Sequence, residues 1–265
     1  MEFDKIIQEH EDKIIVKTSP FVAESSDLQR TEEWFLQRLG RFTGSGIKNL
    51  MKTSRSTSKI EWGRAEKILD FSDTAIKYVY EKAMERKRQK VIRLIPSLAM
   101  KYGTEQEEVV VDLFLDKSYH LTIKNKGFLE FIPGVAGASP DGLLTDKITG
   151  EKFGYEGKCA TNWDAVFLRM EKPFEQSHQD FWQIQAEMLA LKVKSLYYCT
   201  AEPSESLLEP NITDVQFKKV DASEIHQQSL IHRCHIGNKA IELFLDGENI
   251  FNAIDKACTD YDGLN

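Results

Sequence analysis

From Asp73 onward the apolar residues return at a helical interval, at Ile76, Val79, Tyr80, Ala83 and Met84. Residues three and four apart share one face of an α-helix, so this spacing predicts an amphipathic helix with those five side chains turned inward. Pro96 ends it or the extension behind it. A second helix is expected over 97–116. Upstream, "SSDLQRTEEWFLQRLG" (25–40) reads as a helix with Ser26 or Asp27 as its cap and Gly40 as its stop. "RFTGSGIKNLM" then predicts a tight glycine-containing turn into another helix start. "KTSRSTSK" (52–59) is polar throughout and predicts a mobile loop.

After His120 the texture changes. "HLTIKNKGFLEFIPGVAGASPDGLL" and "KFGYEGKC" are short, β-rich and broken by Gly and Pro, the pattern of a strand meander. "SHQDFWQIQAEMLALK" returns to helix, opened by Ser177 and Asp180 as a capping pair. "SLYYCT" and "ITDVQFKKV" read as two more strands, and a final helix spans 222–245. The order is helices, strands, helix, strands, helix. It predicts an α/β or α+β fold with a central mixed sheet packed between helices. Neither an internal repeat nor a Pro/Gly-rich linker is visible. One domain is therefore expected over 1–265, with an N-terminal extension (1–25) and a C-terminal helical segment (222–265).

Composition narrows the function classes. Hydrophobic residues make up 41% and charged residues 29%, and no apolar run nears the ~20 residues of a membrane helix. The acidic start "MEFDKIIQEHEDK" has no signal-peptide core, so a cytoplasmic protein is expected. A net charge of −7 argues against a protein that coats nucleic acid with its whole surface, but leaves room for a local basic groove. Lys82 to Arg93 carries six basic residues against one acid, with Lys48, Lys52, Arg55 and Lys59 upstream. The ordinary reading is a solvated helix face, and the alternative is phosphate contact. Four scattered cysteines without a CxxC pair suggest neither zinc nor disulfides. "HRCH" (232–235) reads as helix surface.

The candidate chemistry lies in "SPDGLLTDKITGEKFGYEGKC", Ser139 to Cys159. A strand ending in Asp141 and paired with a strand carrying Glu156 and Lys158 can bring the three side chains together. Glu156 and Lys158 are two apart and share one strand face. Carboxylate oxygens suit a hard cation such as Mg²⁺, and an ammonium beside them can stabilise an anionic transition state. A further acid is available from Glu105, Glu107 or Glu108 at a helix start. Gly157 leaves a gap on the opposite face of the strand. On the residues alone, Asp141-Gly142 could equally be a turn, and Glu156 and Lys158 an exposed strand pair.

Five stretches in order, "WFLQRLGRFTGSGI", "YGTEQEE", "SPDGL", "EGK" and "QIQAEML", resemble the lambda-exonuclease-type (YqaJ-like viral recombinase) branch of the restriction-endonuclease-like PD-(D/E)XK nucleases. The resemblance covers roughly Glu33 to Leu191. It implies a PD-(D/E)XK core and a Mg²⁺-dependent, ATP-independent exonuclease, with Mn²⁺ able to substitute. Such an enzyme digests linear double-stranded DNA from the 5′ end and leaves a 3′ tail for a single-strand annealing protein. It also implies a phage or prophage setting in a bacterial host and, in some members, a toroidal homotrimer. By motif match, Asp141, Glu156 and Glu107 would be metal ligands, the Gly157 carbonyl an added ligand, and Lys158 the catalytic lysine. Arg38, Ser45, Ser139 and Gln183 match positions that grip the terminal 5′ phosphate. Arg38 could otherwise close a helix C-terminus, Gln183 could be a polar helix position, and Ser139 a turn residue. Trp34 matches the family and is expected to be a packing aromatic. The chain departs from the family pattern at Gly157, where an apolar residue is usual, and at Thr43-Gly44-Ser45, where Thr-Ala-Ser is more frequent. An inactive DNA-end or protein-binding module of the same fold, or an endonuclease, is the alternative.

Overall fold

The computed structural model describes residues 29, 31–90, 97–206, 211–261 and 263. The expectations for 1–25, Ser26, Asp27, 91–93 and Pro96 lie outside the described residues.

Helix α1 (Glu32–Gln37) starts at Thr31, whose hydroxyl accepts from the Trp34 N–H at 3.2 Å. The chain then reverses at Gly40, whose φ of +64° is a left-handed conformation that glycine adopts without strain. Strand β1 (Phe42–Thr43) and helix α2 (Gly44–Leu50) follow, then α3 (Ala65–Ile68), α4 (Asp73–Arg88), α5 (Leu98–Glu105) and α6 (Glu107–Lys117). Next come β2 (Leu121–Lys124), β3 (Leu129–Ile132), β4 (Ala136–Ala138), β5 (Gly142–Asp146) and β6 (Lys152–Cys159). Helices α7 (Trp163–Met170) and α8 (Phe181–Leu191), strands β7 (Ser195–Ala201) and β8 (Val215–Asp221), and helices α9 (Glu224–Leu245) and α10 (Ile250–Thr259) complete the chain.

The strands form two sheets. The larger has the order β2-β5-β6-β7-β8, with β6 and β7 parallel and its other pairs antiparallel. The smaller has the order β1-β4-β3, with β1 parallel to β4. Side chains alternate across the larger sheet. Phe153, Tyr155, Cys199 and Ala201 pack on the face covered by α6, against Val110 and Phe114. Leu196 and Tyr198 pack on the other face against Ile184 and Met188 of α8. A third apolar cluster joins the small sheet to α2, α4, α8, α9 and α10. The mixed sheet between helices is as expected.

Several local expectations are corrected. The α4 helix is present, but it buries Ala75, Tyr78, Val79 and Ala83 while Tyr80 is 40% exposed. The helix expected over 97–116 is two, broken at Gln106 (φ −100°, ψ 0°), each burying a ring against the sheet, Tyr102 and Phe114. Asp180 does precede α8 as its cap residue, but its side chain accepts from the Tyr198 hydroxyl instead of capping the helix. The polar segment 52–59 is tied down. Ser54 and Thr57 hydroxyls and the Ser54 N–H all donate to Asp70 Oδ2, and Lys67 Nζ donates to the Ser58 and Ile60 carbonyls.

The basic run at the end of α4 is not wholly solvated: Lys82 and Arg86 turn inward, while Lys87, Arg88 and Lys90 are exposed. Lys82 is buried and donates to both oxygens of buried Glu85 at 3.0 Å. Glu85 accepts from the Gly40 N–H at 2.9 Å, and Arg86 Nε donates to the Gly40 carbonyl at 2.8 Å. These charges fasten the turn behind α1. "HRCH" is not plain surface either. Cys234 is buried and Arg233 is 0% exposed. Arg233 donates to the carbonyls of Leu50, Lys52, Lys67, Ile68 and Asp70 at 2.7–3.2 Å, where α2 and α3 end. A cation at two helix C-termini meets the negative ends of both dipoles.

Candidate active site

The site forms where the larger sheet forks. Asp141 does not end a strand, contrary to expectation: strand β5 begins after it, at Gly142 opposite Tyr155, whereas β6 runs on to Cys159 with β7 beside it. Asp141 stands at the fork, and its Oδ2 accepts from the Gly157 N–H at 2.9 Å. That bond satisfies a backbone donor that has lost its strand partner.

Alternation along β6 sends Glu156 and Lys158 to the face covered by α8. Lys158 Nζ is paired with Glu156 Oε1. Gln183 Nε2 donates to the same Glu156 oxygen at 2.6 Å and to Glu187 Oε1 at 2.8 Å. Glu156 is 2% and Glu187 1% exposed, and Oε2 of each is buried without a hydrogen-bond partner.

This crowding shows in the acidities. Burial raises Asp141 well above the ordinary carboxylate range, and Glu156 pushes it in the same direction; Lys158 opposes the rise, while Glu107 adds to it. Burial, then Glu156, raises Glu187 as well. Burial alone would lower the Lys158 ammonium, but Glu156 and Asp141 outweigh it and hold the proton more firmly than usual. Glu107, the first residue of α6, is the helix acid that acts on Asp141. It lines a cavity of about 370 Å³ together with Glu108, Asp141, Tyr155 and Gly157. Glu105 is exposed at the end of α5.

Gly157 has a local explanation. A Cβ built there would stand 3.0 Å from the Tyr155 hydroxyl and 3.3 Å from its ring, so Tyr155 occupies the space left by the missing side chain.

The donors suit a hard divalent cation. Half-buried Asp141 and buried Glu156 are close enough to repel, Glu156 Oε2 is bare, and the ligand atoms are oxygens. Among the described residues no group of three or more acidic, imidazole or thiol side chains is arranged to hold a metal ion. Asp141→Asn is expected to stabilise the cation-free protein, because the amide oxygen still accepts from Gly157 while the charge is gone. Relief of about 1 kcal/mol raises the melting temperature by roughly 2–4 °C. The sign follows from the upward shift of the Asp141 pKa. The folded protein resists ionising Asp141, so the penalty grows as pH rises past the ordinary carboxylate range. The Asn variant should gain most at alkaline pH and nothing at pH values where Asp141 is protonated. Equal melting of both proteins across pH in EDTA would refute the repulsion.

A second cluster lies beside the first. Arg38 Nη1 donates to Ser139 Oγ at 3.2 Å and Nη2 to Ser45 Oγ at 3.5 Å. Trp34 Nε1 donates to Ser139 Oγ at 2.9 Å, and the Arg38 guanidinium lies 4.0 Å from the centroid of the Trp34 ring. Burial pulls Arg38 down to about 10, with Tyr78 and Glu85 opposing, so it stays charged at neutral pH. The structure thus joins Arg38, Ser45 and Ser139 but gives the Gln183 amide nitrogen to the carboxylates instead. The Gln183 side chain does run past Gly44, its Cγ 4.0 Å from where a Cβ would sit. Ser139 precedes Asp141 by two residues, so the clusters adjoin.

Glu187 escaped the sequence reading, and Trp34, expected only as a packing aromatic, also donates to Ser139. Glu187 follows Gln183 by four residues in "QIQAEML", and Trp34 precedes Arg38 by four. The i, i+4 spacing that puts each pair on one helix face was available in the motifs. Burial, which makes those pairs consequential, was not.

The YqaJ-like viral recombinase domain profile matches residues 33–192. Among solved structures, the alkaline exonuclease LHK-Exo from Laribacter hongkongensis has a TM-score of 0.62 at 18% identity, over 86% of this chain and 99% of that one. Its complex with dAMP gives 0.62 at 19% identity over the same shares. A phage-related exonuclease from Haemophilus somnus 129PT gives 0.59 at 13% identity, over 78% and 95%. A search of curated protein sequences finds no match. No helix among the described residues is long and apolar enough to cross a membrane.

Proposed function

The chain belongs to the YqaJ-like viral recombinase family, and from that premise we propose that it is a divalent-cation-dependent exonuclease that digests linear duplex DNA from 5′ ends. Its fold is that of the lambda-exonuclease-type PD-(D/E)XK nucleases. The observation that carries the reading is the adjacency of an anion-binding cluster and a carboxylate–lysine cluster. Two residues of extended chain span about 7 Å, the scale of one nucleotide, and that is the separation in sequence of Ser139 and Asp141.

Arg38 offers a fork of donors to the terminal phosphate. Ser139 Oγ already accepts from Trp34 and Arg38. Its own proton is therefore free to be donated to a phosphate oxygen. Ser45 adds a second hydroxyl on the same side. In the other cluster Asp141, Glu156 and Glu107, with the Gly157 carbonyl, would hold Mg²⁺ or Mn²⁺, which supplies Lewis-acid neutralisation of charge on the scissile phosphate. Lys158, held charged by Glu156 and Asp141, places an ammonium where negative charge develops on hydrolysis.

The test is digestion of end-labelled linear duplex with and without a 5′ phosphate, in Mg²⁺ and in EDTA, beside a closed circular plasmid. Mg²⁺-dependent loss of the 5′ label with an intact circle supports the proposal. A cut circle shows an endonuclease, and no digestion in Mg²⁺ leaves an end-binding module. Arg38→Ala should lower the rate on 5′-phosphorylated ends by about 10²-fold, the scale of losing one charged donor, while sparing unphosphorylated ends. Equal losses on both would remove Arg38 from the phosphate site. A single-strand annealing protein as partner and a homotrimeric assembly rest on the family resemblance, and light scattering of the pure protein tests the second.

A further inference from the structure

We propose that Glu187 is a positioning residue for the cation-binding carboxylate, acting through the Gln183 amide to set the direction of Glu156. This role rests on the reading of Asp141 and Glu156 as cation ligands.

The side-chain amide of Gln183 has two hydrogens on one nitrogen, and each has a destination. One goes to Glu156 Oε1 at 2.6 Å and the other to Glu187 Oε1 at 2.8 Å. With the bond to Glu156 alone the amide plane could still swing about its last torsion while keeping the nitrogen on the carboxylate. The second bond removes that freedom. With Glu187 accepting, the nitrogen faces the carboxylates and the amide oxygen is turned away from Glu156, which it would otherwise repel. The arrangement is built on a rigid element. Gln183 and Glu187 are four apart on α8, a helix whose neighbouring residues Ile184, Ala186 and Met188 are fully buried.

The consequence for Glu156 is directional. Lys158 and Gln183 both occupy its Oε1. Its Oε2 is left buried and without a partner. A buried carboxylate oxygen kept bare is costly. Here the cost has a use, because the bare oxygen is the one available to a cation. A Gln at 187 keeps an oxygen that can accept from Gln183 and removes the carboxylate. This separates a positioning role from a ligand role. A positioning residue needs only an acceptor for Gln183, which Gln supplies as well as Glu, whereas a ligand or counter-charge needs the carboxylate.

The experiment is titration of the DNA-free protein with Mn²⁺, read by the electron paramagnetic resonance of the free ion. Asp141→Ala serves as the control that removes the site. Glu187→Ala and Gln183→Ala should each weaken Mn²⁺ binding about tenfold, the usual scale for losing a partner that orients a ligand. The double variant should be no weaker than either single one, since both act through one contact path. Glu187→Gln should bind within about twofold of wild type, the acceptor being retained. Unchanged binding by Glu187→Ala overturns the proposal, and so do additive losses in the double variant. Equal weakening by Glu187→Gln and Glu187→Ala also overturns it, in favour of direct ligation. Should Glu187→Ala not fold, half-buried Gln183→Ala and isosteric Glu187→Gln decide between them: loss in the first with retention in the second supports the role, and equal affinities refute it. A wild-type protein that takes up no Mn²⁺ overturns the reading of the site and this role with it. Wild-type uptake that Glu187→Ala leaves unchanged overturns this role alone.

Discussion

Lys158→Ala is expected to bind duplex ends as the wild type does and to hydrolyse them more slowly by about 10²–10³-fold or more, the scale of removing one preorganised donor to a developing charge. Binding survives because the proposed grip on the end belongs to Arg38, Ser45 and Ser139, which lie in a separate cluster. Chemistry suffers because the ammonium is held beside Glu156 in a place from which water is largely excluded, where a fixed charge counts for more than in solvent. The loss has a second component. Removing Lys158 leaves Glu156 buried with one amide donor, and breaking a buried pair from one side costs on the order of 3–5 kcal/mol. The variant should therefore melt earlier than wild type in EDTA and recover part of the difference when Mn²⁺ is added. Anisotropy of labelled duplex measures binding, and single-turnover release of labelled nucleotide measures chemistry. Undiminished cleavage would remove Lys158 from the catalytic assignment.

Arg233→Leu should have the largest effect on folding. The guanidinium serves five carbonyls from two helix ends and lies 4.0 Å from the centroid of the Phe71 ring. Burial pulls it down to about 9, opposed by Asp70, so it remains charged at neutral pH. Leucine fills part of the volume and supplies no donor. Leaving buried carbonyls bare costs about 1–3 kcal/mol for each strongly affected group. Several together approach the roughly 5–15 kcal/mol that holds a whole domain folded. The variant is expected to be insoluble or to show no cooperative urea transition. Lysine should not rescue it, since three donors on one nitrogen cannot reach carbonyls spread around a planar fork. A wild-type transition in Arg233→Leu would show that α2 and α3 are anchored by other contacts. The consequence would reach the site, because α2 runs from Leu50, held by Arg233, back to Ser45 in the anion cluster.

The legibility of the chain divides along a physical line. Periodicity placed α4, α8, α9 and the β5, β6, β7 and β8 strands, because alternation and the helical repeat are local properties of the backbone. The i, i+2 spacing of Glu156 and Lys158 put both on one face for the same reason. The motif "SPDGL" fixed Asp141 near them only by resemblance. It is the register Gly142↔Tyr155 that sets Asp141 at the fork, and register depends on packing across strands distant in sequence.

Where the sequence misled, burial was the missing quantity. Lys82, Glu85 and Arg86 look like solvent-facing charges in a basic run, and "HRCH" looks like surface. Nothing local tells a chain that Gly40 will need two partners, or that two helices will end on one guanidinium. Gln183 matches the phosphate grip by motif, and burial gives its nitrogen two further partners, Glu156 and Glu187, that the motif does not show. The sequence by itself determined the element types, the family and the candidate residues for the chemistry. Only the tertiary structure decided which charges are withdrawn from water and which oxygen is left bare, because the cost of an unpaired charge depends on what surrounds it in space and not on its neighbours in the chain.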